Sequence, residues 1–309
     1  MRLTLRQLQL FCAVARTGST TAAAEAVALS QSATSAALNE LESALGSRLF
    51  DRVGKRLVLN DTGRTLLPEA LGLLERAQGI EDAFAGSTGP ARVQVRLAAS
   101  TTIGNYLLPA LLAAYRAELP QCRLDVTIGN TQNVGEAVAD FQADLGLIEG
   151  PCHVEGMAVL PWTTDELVIV AAPGHALARQ AAIRPLALAE LRGAPWLLRE
   201  PGSGTREAVE QALVPALDHL EADITLGSSE AIKYAVADGL GITCLSRVLV
   251  QDLLANGRLV ELPTVLPAMK RPLFLIHRRE KHLSPALALF VRLCLDPDAG
   301  VPGAASTPA

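Results

Sequence analysis

The chain has 309 residues, half of them apolar, with 27 Lys and Arg against 32 Asp and Glu and a formal net charge of −5. That is enough chain for two or three compact units, too apolar for global disorder and too acidic for a basic nucleic-acid coat. The charge is unevenly spread: residues 1–62 carry seven Lys/Arg against five Asp/Glu and the remainder 20 against 27, so a head of net +2 precedes a body of net −7. Such a split suits a protein whose head alone meets phosphate.

In chain order, Leu5, Leu8, Phe11, Cys12 and Ala15 recur at helical spacing, and Thr17-Gly18-Ser19 ends that helix. Ser19 or Thr20 is placed to cap a short alanine-rich helix over 21–28. Ser30 is placed to cap a third helix in which Thr34, Leu38, Leu41 and Leu45 share one face before Gly46 closes it. Residues 48–60, with Arg52, Lys55 and Arg56 around Gly54 and then alternating Leu57-Val58-Leu59, predict a short hairpin, or wing.

Thr62 is the expected cap of a long helix to about Ala85. In it Leu66, Ala70, Leu73, Ala77, Ile80 and Phe84 repeat at alternating spacings of 4 and 3, a seam that predicts dimerisation, with Pro68 bending it or marking its first turns. Gly86-Ser87-Thr88-Gly89-Pro90 predicts a hinge.

Beyond it strands near 92–99, 122–129, 144–148, 165–172, 222–227, 241–245 and 270–277 alternate with helices near 104–117, 131–139, 204–214, 229–238 and 284–295, which predicts βαβ units and parallel sheets. The expected division is 1–60 winged helix-turn-helix, 61–89 linker helix and hinge, 90–295 a ligand-sensing domain and 296–309 a disordered tail.

Function classes narrow on the same residues. Cys12, Cys122, Cys152, Cys244 and Cys294 form no CxxC pair, which predicts buried thiols in a reducing cytoplasm, with no disulfide framework and no metal. No cofactor is expected. The start MRLTLRQLQLF lacks the apolar core of a signal peptide, and the longest uncharged run, between Arg96 and Arg116, contains Ser100, Thr101, Thr102, Gly104, Asn105 and Pro109, so a cytoplasmic chain without a membrane span is expected. His153, His175, His219, His277 and His282 stand in no nucleophile elbow, metal motif or phosphate loop, so no catalytic residue is expected. A solute-binding protein would share the architecture of 91–295; the N-terminal helices argue against it.

On the third helix the inward face leaves Ser32, Ser35, Ala36 and Asn39 outward, with Gln31 in the first turn and Thr20 on the helix before. Gln and Asn read base edges in the major groove, Ser reaches base or phosphate, and Arg52, Lys55 and Arg56 reach phosphates or the minor groove. LRQLQLFCAVARTGSTTAAAEAVALSQSATSAALNELESALGSRLFDRVGKRLVLNDTGRTLLP resembles the LysR-type transcriptional regulators, collinearly across 3–68, and the likeness extends over about 5–295. The resemblance implies an N-terminal DNA-binding domain for double-stranded promoter DNA, a dimerising linker helix and a two-lobed, periplasmic-binding-protein-like α/β domain for a small co-inducer. It further implies assembly as homodimers or homotetramers and contact with RNA polymerase when activating. One departure is Ala36, where many members carry a basic or polar residue.

Three predicted strand-to-helix junctions carry hydroxyls: Ser100-Thr101-Thr102, Ser203-Gly204-Thr205 and Ser228-Ser229. Each offers hydroxyls and free N–H groups to an anion, or simply caps a helix. In an open α/β sheet they fall where ligands bind. In similar regulators the segment matching Ser100–Thr102 lines the co-inducer cleft and faces residues matching Glu149 and Ser203–Thr205. Glu149 is expected there, either accepting a hydrogen bond from a protonated ligand or pairing with Arg199. ASTTIGNYLLP, GLIEGP and REPGSGTRE resemble the sub-group with sulfite-responsive and carbon-fixation regulators, which implies a small oxyanion such as sulfite, with a carboxylate metabolite as the alternative.

Overall fold

The computed structural model describes residues 3–54, 56–84 and 94–296. They fall in two compact units that divide between Ala91 and Arg92. Lys55, the hinge expected at 86–90 and the tail beyond Asp296 lie outside the described residues.

The first unit is built on three capped helices. Thr4 and Gln7 exchange hydrogen bonds at the start of α1 (Leu5–Thr17), and Gly18 ends it at φ +66°, a conformation that costs a residue with a Cβ. Ser19 caps α2 (Thr20–Ala26) and Ser30 caps α3 (Gln31–Leu45). Phe11, Val14, Ala23, Leu38, Leu41, Leu49 and Phe50 close into one core. Leu45 is not part of the inward face: at the last position of α3, beside Gly46, it is 36% exposed. The expected hairpin is present as β1 (Phe50–Val53) antiparallel to β2 (Arg56–Leu59).

Helix α4 (Asp61–Phe84) starts two residues earlier than expected. Its cap is Asn60, whose Oδ1 accepts from the Gly63 N–H at 2.9 Å, and not Thr62. Here glycine is a steric necessity, because a Cβ on Gly63 would stand 2.1 Å from the Leu49 carbonyl oxygen. Leu66, Leu67, Ala70 and Leu74 pack on the core, while Leu73 and Ile80, seven residues apart, are 47% and 62% exposed.

The second unit opens with β3 (Gln94–Ser100), a π-helical turn (Ile103–Leu107) running into α5 (Leu108–Glu118), β4 (Arg123–Gly129), α6 (Thr131–Ala139) and β5 (Leu145–Glu149). Long strand β6 (Met157–Ala171) leads to α7 (Ala176–Ala181), α8 (Leu188–Arg192), β7 (Leu197–Arg199), α9 (Gly204–Leu217), β8 (Ile224–Leu226), α10 (Ser229–Ala237), β9 (Ile242–Ser246), α11 (Arg247–Ala255) and β10 (Val260–Glu261). The chain returns through β11 (Met269–Arg278) to α12 (Pro285–Leu295).

The principal sheet is mixed, which corrects the expectation of parallel sheets. Its order is β10-β6-β11-β5-β3-β4, with β9 also on β6. Within it β3, β4 and β5 run parallel, while β11 is antiparallel to β5 and β6; a separate two-stranded sheet, β7 on β8, is parallel as expected. The reason is that β6 carries the chain out of one lobe and β11 carries it back. Lobe I centres on Leu97, Leu111, Tyr115, Leu147, Leu275 and Phe290. Lobe II centres on Leu167, Ile169, Trp196, Leu213 and Ile242, with Ile232, Val236 and Leu249 on its other side. Among the described residues no helix is long and apolar enough to cross a membrane.

Candidate functional site

In the first unit, Gln31, Ser32, Ala36 and Asn39 form the exposed side of α3 opposite buried Thr34, Leu38 and Leu41, with Ser35 half-buried at its margin. Gln31 is held in place: its Nε2 donates to Ser35 Oγ at 3.0 Å and to Thr20 Oγ1 at 3.3 Å, tying α3 to α2. Arg52 and Arg56 are exposed on the hairpin. The same unit thus presents a helix edge of short polar groups and a hairpin with two exposed guanidiniums, residue types that can read bases and neutralise phosphates.

In the second unit, a polar row crosses the sheet where the lobes meet. Arg271 on β11 stands opposite Asp165 on β6 in register, and diagonal to Glu149 on β5, which pairs with Leu273. Arg271 Nε and Nη2 donate to Asp165 at 2.8 and 2.6 Å; Nη1 donates to Glu149 at 2.5 Å and to the Thr205 hydroxyl at 2.8 Å. Ser246 on β9 completes the row, its hydroxyl donating to Asp165 at 2.8 Å. Asp165, Glu149 and Arg271 are all buried, so the row holds two carboxylates on one guanidinium.

Glu149 is the focus of this arrangement. Its Oε1 accepts from the Ser100 hydroxyl and the Thr102 N–H, each at 2.8 Å; its Oε2 accepts from the Thr205 hydroxyl at 2.8 Å and from Arg271. Ser100 and Thr102 belong to lobe I and Thr205 to lobe II. Burial alone would raise its pKa; the Arg271 charge, the Thr205 and Ser100 hydroxyls and the Thr102 N–H more than offset this and hold it at about 2.

The remaining expected residues divide. Ser203 caps α9, and Gly204 packs so closely that a Cβ would stand 1.8 Å from the Glu149 carbonyl oxygen. Thr101 donates to the Gly129 carbonyl and not to Glu149. Glu149 does not pair with Arg199: Arg199 is buried but forks onto neighbouring Glu200 and donates to Ser229 at 2.6 Å, so it lies one layer away. Ser228 caps α10 and makes no contact with the row. Lobe contacts surround the site, including Gln132 N–H to the Gly202 carbonyl at 3.1 Å and Asn130 to Glu200 at 3.1 Å.

Asp165, Arg271, Ser246 and Thr131, whose hydroxyl donates to the Glu149 carbonyl at 3.0 Å, were not anticipated. A signal for two of them exists in the strand alternation. Asp165 precedes Leu167, Ile169 and Ala171 on one face, and Arg271 precedes Leu273 and Leu275, so each is the one charged member of a buried stripe. Cavities of about 530 and 310 Å³ lie beside Val291 and Leu295 and beside Trp196 and His219; neither includes a residue of the row. Among the described residues no His, Cys, Asp or Glu cluster is arranged to hold a metal.

Comparison with known families and proteins agrees with both halves. Residues 5–64 match the bacterial regulatory helix-turn-helix protein, lysR family, and residues 88–297 match the LysR substrate binding domain. The chain is 52% identical over 302 residues to the HTH-type transcriptional regulator YeiE of Escherichia coli K12, covering 98% of this chain and 100% of that one. It is 32% identical over 290 residues to the RuBisCO operon transcriptional regulator of Allochromatium vinosum, covering 94% and 95%. Among solved structures, full-length OxyR of Pseudomonas aeruginosa shares the fold over all of both chains, with a TM-score of 0.76 at 23% identity.

Proposed function

The chain belongs to the LysR family of bacterial helix-turn-helix transcriptional regulators, and on that premise we propose that it binds promoter DNA through α3 and the hairpin and responds to a small oxyanion, with sulfite as the favoured species, taken up where its two lobes meet. The observation that carries the effector reading is the cradle of Ser100, Thr102, Thr205 and Arg271. Four donors from both lobes and the crossing strand converge on one anionic group. An anion gripped by both lobes favours one lobe arrangement over another, and a ligand shifts a conformational equilibrium only through such a difference in contacts.

Exposed Leu73 and Ile80 on α4 support a homodimer, or a homotetramer made of two, paired through this helix. Pairing matters because a head of net +2 has little phosphate attraction of its own. Activation by such an assembly would involve RNA polymerase, and a cytoplasmic location follows from that work.

A carboxylate metabolite is the second reading, favoured because the group held in the cradle is itself a carboxylate. The test is a footprint of the full-length protein on its own promoter region, with and without sulfite. A sulfite-dependent change in the footprint is expected; protection that is the same with sulfite, sulfate and buffer overturns the oxyanion reading, and absence of protection overturns the DNA reading.

A further inference from the structure

We propose that Glu149 is a built-in occupant of the effector's anion cradle, a tethered carboxylate that holds the lobes together, competes with any incoming anion, and so excludes simple monocarboxylates as effectors. This rests on the reading that the effector binds at the lobe junction.

The cradle is fully used. Each Glu149 oxygen accepts two hydrogen bonds, and each of the three Arg271 nitrogens is engaged by Asp165, Glu149, Thr205 or Thr102. The donors are also the ones a bridging ligand needs: Ser100 and Thr102 from lobe I, Thr205 from lobe II. Glu149 therefore makes, from within the chain, the contact between lobes that an effector would make from solution.

Tethering decides which anions can take its place. Glu149 is fixed to the end of β5, so its carboxylate meets the donors at the high effective concentration of an intramolecular group. Formate or acetate brings the same two oxygens to the same four donors and has no contact in excess of Glu149 with which to offset that advantage. An oxyanion with a third or fourth oxygen, or a second charge, has such contacts. Its entry requires Thr205 to leave Glu149, so that the lobes part and the released carboxylate turns to water.

Removing the carboxylate should turn the cradle into an open receptor for small anions. Full-length wild type, Glu149→Ala and Glu149→Gln are compared by thermal unfolding in formate, acetate, sulfite, sulfate and phosphate against chloride at equal ionic strength. Both variants are expected to melt lower than wild type in chloride. Glu149→Ala, which vacates the cradle, is expected to be restabilised saturably by formate and acetate, with wild type and Glu149→Gln, whose amide still fills the space, responding to those two at least about tenfold more weakly. Where Glu149→Ala is unfolded in chloride, recovery of native circular dichroism in formate supports the inference and failure to recover overturns it. Equal response of wild type and Glu149→Ala to formate, or none in either, also overturns it. A Glu149→Ala protein that responds to formate while wild type ignores sulfite, sulfate and phosphate upholds the role of Glu149 and sinks the oxyanion effector.

Discussion

The Thr205 hydroxyl at the first turn of α9 lies 2.8 Å from Glu149 Oε2 at the last residue of β5, and it joins the two lobes at a single carboxylate. The approach depends on the residue before it. A Cβ on Gly204 would stand 1.8 Å from the Glu149 carbonyl oxygen and 2.5 Å from Thr131 Oγ1, and both belong to lobe I. Gly204→Ala is therefore expected to push the lobes apart at a cost of about 1–3 kcal/mol, the usual range for overpacking. Hydrogen exchange should be faster at the Gln132 amide, which donates across the lobes to the Gly202 carbonyl at 3.1 Å. Unchanged exchange there would show that α9 yields without moving the lobe.

Arg271 neutralises two buried carboxylates at once, so its loss should exceed that of an exposed ion pair. Arg271→Ala leaves Glu149 and Asp165 buried without their cation, and breaking such a pair typically costs about 3–5 kcal/mol. Arg271→Lys should recover only part of this, because one ammonium cannot fork between two acids, as the guanidinium does. Urea unfolding of the three proteins gives the comparison. Alanine and lysine variants within about 0.5 kcal/mol of wild type, the usual size of a surface effect, would mean the row contributes little.

Glu149 also sets an acid limit. Its carboxyl is held at about 2 against an ordinary 4.5, lower in the folded state than in the unfolded one. The sign is that of a depressed acid: the stabilisation is fully present above about pH 4.5 and is lost as pH falls toward 2. The amount is on the order of 3 kcal/mol. Asp144 shifts the same way: burial opposes ionisation, but Arg96 and Lys281 lower its pKa. Stability measured from pH 6 downward should fall across this window, and Glu149→Gln should flatten part of the fall.

The elements that could be read from the chain are those whose signals are local. Ser30 and Gly46 bracket α3, and the basic turn around Gly54 marks the hairpin, because caps and turns are decided by neighbouring residues. Strand direction was not legible: nothing in MKRPLFLIHR says that β11 inserts antiparallel between β5 and β6. The site was half legible for the same reason. Ser100, Thr102 and Thr205 sit at strand-to-helix junctions and Glu149 at the end of a strand, positions that a pattern reveals. Arg271 reaches them over 122 residues from Glu149, and Arg199, nearer in sequence to Thr205, is taken by Glu200. The alternation with Leu273 and Leu275 marks Arg271 as inward, but which acids it meets is not legible until the sheet order is known.

The DNA face yields a pair of outcomes that differ in kind. Arg52 is exposed on β1 and is proposed to meet phosphate, so Arg52→Ala should weaken binding to all sequences alike and lower the salt slope by about 1. Gln31 is exposed on the proposed reading edge and is positioned by Thr20 and Ser35. Gln31→Ala should leave the salt slope unchanged and relax base preference at one position of each half-site, by about 1–3 kcal/mol. Thr20→Ala, which removes an anchor and no base-reading group, should relax the same position by less. Selection from a randomised operator library at two salt concentrations measures both quantities together. If Gln31→Ala altered the salt slope while preserving the preferred sequence, Gln31 would be a phosphate contact, and base reading would pass to Ser32 and Asn39.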